Sequence, residues 1–318
     1  MTLQARGAKA RLLLDFESTF GVTPATPAGI IIPIKSADLQ GTQTLIESEI
    51  IRDSRMPIRP DRGNYTLAGP VVGPIDSTVF GYILKAMMGV PVTTGSSPNY
   101  SHVFKPGAVQ PSLTMEQGHS DIGFYKLING CKVSSIAISL APNQELLYTA
   151  NVVGSIETRG ATSYDATPTT VAITKRFSNY QASILEGGGA IATVTKLDVT
   201  IDFGLDDTEY CLSGGGIRSD IPEGMVKVTG TLSALFTDAS LLTKAANKTE
   251  SSLQLTLTYD ANTSLVLLVP ELEYELKTPG IKDAKGIVQD LGWYGFYATN
   301  VDATVVKFTL NNQNASYA

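Results

Sequence analysis

The chain of 318 residues is poor in the side chains that carry most chemistry, with two histidines, two cysteines and one tryptophan. Cys131 and Cys211 lie far apart, which excludes a disulfide framework. The two are expected as buried free thiols made in a reducing cytoplasm. No Cys or His pair has the spacing of metal ligands. His102 falls in a Pro/Gly/Ser/Thr-rich stretch. His119 falls in Gln117-Gly-His-Ser-Asp121, where an exposed turn histidine is expected rather than part of a hydrolase triad. No G-x-S-x-G nucleophile elbow occurs. Long apolar runs are missing too: the longest, Leu265 to Pro270, is strand-sized, against the ~20 residues of a membrane span. At the N terminus, Asp15 and Glu17 cut short the leucines of MTLQARGAKARLLLDFE, so a signal peptide is not expected. Charge is scarce: 17% of residues are charged and the net charge is −6. An acidic chain does not attract nucleic acid as a whole, and low charge on an ordinary apolar content is what a large subunit interface would leave.

Three further patterns resemble sites and fall short of them. Asp202, Asp206, Asp207 and Glu209 surround Gly204, but without the D-x-D-x-D-G order of a calcium loop, so a solvated loop is expected. Gly187-Gly-Gly189 and Gly214-Gly-Gly216 lack G-x-G-x-x-G and the G-K-S/T ending, so both are expected as hairpin tips. No catalytic, cofactor or metal residue is assigned, and the chain is not expected to be an enzyme.

What is present is alternation. Ile136, Ile138 and Leu140, then Leu272, Tyr274 and Leu276, then Val306, Phe308 and Leu310 alternate with mostly polar or small neighbours. A period of two marks half-buried antiparallel strands. Helical spacing occurs twice. After Asp76 or Ser77 as cap come Val79, Phe80, Ile83, Leu84 and Met87, closed by Gly89. After Asp238 come Leu241, Leu242, Ala245 and Ala246. The strands before these helices also match. Gly69 and Gly230 stand 161 residues apart, and Gly63 and Gly224 share that offset. Ile34, Asp38 and Leu39 match Val194, Asp198 and Val199, an offset of 160. Leu113-Thr-Met115 resembles Leu255-Thr-Leu257, an offset of 142, once residues 90–111 are counted as an insertion in the first copy. The expectation is an all-β chain with one short flanking helix per copy, made of two tandem β-sandwich or barrel units. Residues 1–29 would be an N-terminal arm, 30–165 the first unit and 166–318 the second, joined through the Thr/Ser/Pro-rich run near 161–170.

One charged stretch remains: Glu47 and Glu49, then Arg52-Asp-Ser-Arg55, then Arg59, Asp61 and Arg62. Mixed signs argue against a nucleic-acid patch. A solvated loop with local ion pairs, or an arm docking on a neighbouring subunit, would use these residues. Glu49, Arg52, Asp53, Arg55, Arg59, Asp61 and Arg62 are therefore the candidate subunit-interface residues.

Four segments together resemble the tail tube (major tail) proteins of long-tailed phages. They are Glu17 with Gly21-Val-Thr-Pro24, Ser48 to Arg55, Gly69 to Gly89 with its D-x-x-x-F-G-x-I/L-L-K pattern, and Leu127 to Ser135. The resemblance implies a small β-sandwich or barrel with a flanking helix, whose inner sheets join in a ring, and rings stacked into a hollow tube for DNA ejection. Two units per chain would make that ring a trimer with pseudo-sixfold symmetry. It also implies as partners the chain itself and the tape measure, terminator and distal tail proteins. DNA would pass without specific binding, no cofactor or membrane span would be needed, and the protein would sit in the virion tail after assembly in the host bacterial cytoplasm. Competing expectations are an extracellular β-sandwich adhesin or carbohydrate-binding module, a hydrolase on a β scaffold, and the tube of a contractile tail or secretion system.

Overall fold

In a computed structural model, residues 4–317 are described, apart from 174, 213, 282, 283 and 285. The first half contains β1 (Ala10–Phe16), β2 (Ile30–Ile32), β3 (Ser36–Ala37), β4 (Gln40–Ile46), β5 (Asp61–Pro74), α1 (Phe80–Met88), β6 (Val92–Ser96), β7 (Asn99–Phe104), β8 (Leu113–His119), β9 (Phe124–Leu140), β10 (Leu147–Gly154) and β11 (Ile156–Gly160). After β12 (Thr169–Thr170) come β13 (Ala182–Glu186), β14 (Gly189–Ala190), β15 (Val194–Asp202), β16 (Lys227–Leu235), α2 (Ser240–Ala246), β17 (Ser251–Asp260), β18 (Thr263–Tyr274), β19 (Val288–Gly295) and β20 (Lys307–Asn312). The fold is all-β with two short helices, as the alternation predicts.

Long strands are shared between sheets. The first part of β9 lies between β8 and β11, and its last part between β10 and β15. From β4 an antiparallel run continues through β5, β10, β9, β15, β16 and β19 to β18. Registers recur along it. Gly41 and Gly154 flank Leu67, while Ile201 and Gly295 flank Val228. Ala37 faces Val71, and Leu197 faces Leu232. Val152 faces Val133, and Trp293 faces Tyr274. Leu67 and Val228 stand at the same offset as Gly69 and Gly230. One continuous apolar core, with Leu12, Phe80 and Tyr148 from one half and Leu232, Trp293 and Phe308 from the other, lies beneath these strands.

The helices begin beyond the expected caps: Val79 precedes α1 and Ala239 precedes α2, neither with a side-chain cap bond, while the aspartates bond in the turns leading into them. Asp76 Oδ1 accepts from the backbone N–H of Thr78 (2.6 Å) and Val79 (2.7 Å), and Asp238 Oδ1 accepts from Ser240 (2.7 Å). For α1 these bonds close the turn before the helix, and for α2 the bond satisfies the first helical amide. Val79, Phe80, Ile83, Leu84 and Met87 are all buried. In α2 only Leu241 and Ala245 are buried, because its outer flank has no second layer.

Several expectations need correcting. The segment read as an N-terminal arm contains β1, hydrogen-bonded to β2 and β8, and Leu12, Leu13 and Leu14 are fully buried. Its apolar triplet is core, not a free tail. The insertion 90–111 is a β6–β7 hairpin that extends the sheet beside β20, with Phe104 opposite Phe308. Its His102 is buried and bonded to Thr93, Asn312 and Asn314. Burial holds the imidazole below its ordinary pKa. His119 is the last residue of β8 and half-buried, and the turn begins after it. Cys131 is buried and its thiol pushed up by desolvation, but Cys211 is exposed. Gly187 and Gly188, both with positive φ, do form the β13–β14 hairpin tip. Gly214 to Gly216 instead sit within a docked loop. Leu276, expected on the buried face of its strand, is 61% exposed, because β18 ends at Tyr274.

Candidate assembly interface

The two halves meet at the β9–β15 seam. Six residue pairs run from Leu140↔Leu197 to Ser135↔Asp202, and Phe203 N–H donates to Ser134 O (2.8 Å). The loop 203–226, between β15 and β16, then folds back over the first half. Tyr65 N–H donates to Gly216 O (2.7 Å), and Tyr210 Oη to Tyr65 O (3.2 Å). Arg218, 3% exposed, donates to Leu67 O (3.3 Å), Gly154 O (2.8 Å) and Asp207 O (2.6 Å). Its planar fork suits several acceptors at once. Lys132 Nζ donates to Ile221 O (2.8 Å) and to Glu223 Oε1 (2.8 Å), with Asp220 at 3.9 Å. Burial raises the Glu223 pKa, but hydrogen bonds from Lys132 and from Gln110 N–H, with the Lys132 charge, leave it below the usual range.

The loop between β4 and β5 behaves differently. Residues 47–60, with the adjoining ends of β4 and β5, form a ribbon on which Glu49, Arg52, Asp53, Arg55, Arg59, Asp61 and Arg62 are all exposed. None of the ion pairs among the described residues involves these seven. Among the described residues Arg52 Nη2 reaches only Met56 O (3.3 Å). Ile50, Ile51 and Met56 are exposed on the same ribbon, Ile51 at 99%. The local ion pairs of a solvated loop are therefore not formed within the chain. Exposed apolar residues are thus gathered there with charges that lack partners among the described residues.

Among the described residues no group of three or more His, Cys, Asp or Glu could hold a metal. Asp206 accepts from Thr208 and Asp207 pairs with Arg218, so the acidic cluster closes its own loop. A recess of about 650 Å³ lies open between β9 and β13–β15 and is lined by Leu140, Tyr180, Ile184 and Ile191. No helix among the described residues is long and apolar enough to cross a membrane.

A family profile described as phage tail tube protein matches residues 7–295. The chain belongs to the phage tail tube protein family. No curated protein matches it. It is a structural subunit of a tail tube, with its place in the virion tail.

Tail tube motifs that are separate in sequence meet in space. Glu17 Oε1 accepts from Gly130 N–H and Thr114 Oγ1 (both 2.9 Å), and Oε2 accepts from Gly21 N–H (2.8 Å). Thr23 Oγ1 accepts from Asn129 Nδ2 (2.8 Å). Gly130 has φ +64°, and a Cβ there would lie 2.8 Å from Phe20 Cζ. One carboxylate thus fastens the Gly21–Pro24 loop to the β9 turn of direction. Glu17→Ala should cost about 2 kcal/mol by urea unfolding, since charged hydrogen bonds are lost and an amide is orphaned. In the helix motif, Gly81 lies against the Tyr317 ring, and Lys85 Nζ sits 3.9 Å over the Phe16 ring. These motifs hold the fold. The Ser48–Arg55 motif alone faces solvent.

Proposed function

We propose that the chain is a tandem pair of tube units, that three chains close a ring of six units, and that stacked rings form the channel for DNA ejection. One observation carries this reading: the registers on either side of the β9–β15 seam repeat at fixed offsets, and that seam is a strand-to-strand junction between the repeated parts. Sheet edges pair readily with further chains, and a ring satisfies them while limiting lateral growth. Axial stacking remains open-ended and yields a tube. A net charge of −6 suits a lumen through which DNA slides without sticking. Tape measure, terminator and distal tail proteins are the expected partners at the tube's core and ends, with assembly in the host cytoplasm.

Electron microscopy of tubes grown from concentrated purified protein tests this. Three chains per ring are expected, with features alternating around the rim where ribbon 47–60 and hairpin β6–β7 recur every second unit. Six whole chains per ring would overturn it.

A further inference from the structure

We propose that the seam between neighbouring chains repeats the β9–β15 seam with its charges reversed, Glu273 of one chain meeting Arg62 and Arg59 of the next. The inference rests on the tandem-unit reading above.

The registers fix the correspondence. Since Val152↔Val133 corresponds to Trp293↔Tyr274, Lys132 corresponds to Glu273. Since Leu67 corresponds to Val228, Arg62 corresponds to Glu223 and Arg59 to Asp220. Inside the chain, Lys132 holds Glu223 and Asp220 of the following half. At the equivalent place in the second half stands a carboxylate, with Glu271 before it on β18 and Glu275 just past the end of that strand. No ion pair among the described residues involves these three glutamates. The element that would lie over them is the ribbon of a second copy, and it carries arginine where loop 203–226 carries acid.

The backbone agrees. β4 pairs with β5 along one edge, and no described strand pairs with the other. In the second half the equivalent edge, that of β15, is the one bonded to β9. Applying the internal seam to the outer edges sets Gln43 opposite Glu275 and Gly41 opposite Lys277. The new seam is short. Pro279 has no N–H to give, and the Ala37 and Leu39 carbonyls already accept from Gln117 Nε2 and Lys126 Nζ. Leu276, Tyr294 and Tyr297, all exposed, lie beside this edge to receive the ribbon's apolar residues.

Reversal has a purpose beyond attraction. An arginine ribbon meets Lys132 as a like charge, and an acidic loop meets Glu273 as one. Each half is thereby directed to the correct neighbour and the two seam types alternate.

Charge exchange in the full-length chain tests the seam, read as the fraction sedimenting as tubes. Glu273→Lys alone, and Arg59→Glu with Arg62→Glu, should each lower that fraction at least tenfold. Combining the three should restore tubes. Arg59 and Arg62 are exposed and Glu273 is half-buried, and thermal melting checks that each variant folds. Tubes indifferent to the exchanges, or a combined variant that stays unassembled, would overturn the seam while leaving the tube reading intact. A wild-type chain that forms no oligomer would overturn both.

Discussion

Arg218→Ala should lower the unfolding free energy by about 3–5 kcal/mol, the range found when one partner of a buried charged network is removed. The guanidinium bridges the two halves: its acceptors are Leu67 O on β5, Gly154 O at the end of β10, and Asp207 within its own loop. Truncation orphans those carbonyls beneath a loop that also covers Ile221, which is fully buried. Arg218→Lys should recover little, because one ammonium does not reproduce a fork that reaches Nε, Nη1 and Nη2 partners at once. Urea unfolding followed by tryptophan fluorescence reads the loss, since Trp293 is buried in the common core. Proteolysis should report the same event as early cleavage within 203–226. A loss under about 1 kcal/mol would mean that water replaces the guanidinium at no great cost.

The sequence made some of this arrangement legible and hid the rest for identifiable reasons. Alternation located Ile136 to Leu140 and Val306 to Leu310 because each strand has one buried face, and the period of two survives any tertiary context. Asp76 and Asp238 were legible as residues of the turns leading into the helices, because such side-chain-to-backbone bonding is local; which residue starts each helix was not. The N-terminal Leu12–Leu14 run was not, since three successive apolar residues between charged neighbours suit a central strand as well as a docking arm. Only the pairing of β1 with β8, about a hundred residues away, decides it. The strands of the 90–111 insertion were hidden for a similar reason: Pro- and Gly-rich composition resembles a loop until a distant strand, β20, supplies pairing partners. Arg218, Lys132 and Glu223 escaped notice because nothing local distinguishes a buried ion pair from surface charge. A signal did exist in the offsets, where Lys132 and Glu273, and Glu223 and Arg62, occupy matching places with opposite charge.

The two matched glycines give the second large effect: Gly69→Ala and Gly230→Ala should each cost about 3 kcal/mol or more, as overpacking against backbone does. Neither has positive φ, so conformational freedom is not the reason. Close approach is. A Cβ at Gly69 would stand 1.8 Å from Asp38 O and 2.6 Å from Asp38 C, while one at Gly230 would stand 2.1 Å from Asp198 O and 2.3 Å from Trp293 Cζ2. Asp38 and Asp198 are themselves matched residues, so the same backbone crossing, strand over glycine, is used in each half. A carbonyl cannot rotate aside as a side chain end can; relieving the contact means parting β3 and β4 from β5, or β15 from β16. Gly7→Ala is the control, with no atom within 4 Å of its Cβ, and should change stability by less than about 0.5 kcal/mol. Gly230→Ala should be the more damaging, because the indole must also move. Since the sites lie in different halves and share no partner, losses in the double variant should add. The contrast also separates folding from assembly: the Gly69 variant disturbs the strands that carry the ribbon and the free β4 edge, so whatever of it still folds should lose tube formation more than the Gly230 variant does. An electron-microscopy count of tubes at matched folded fraction decides this, and equal tube numbers from both would show that the β4 edge takes no part in joining chains.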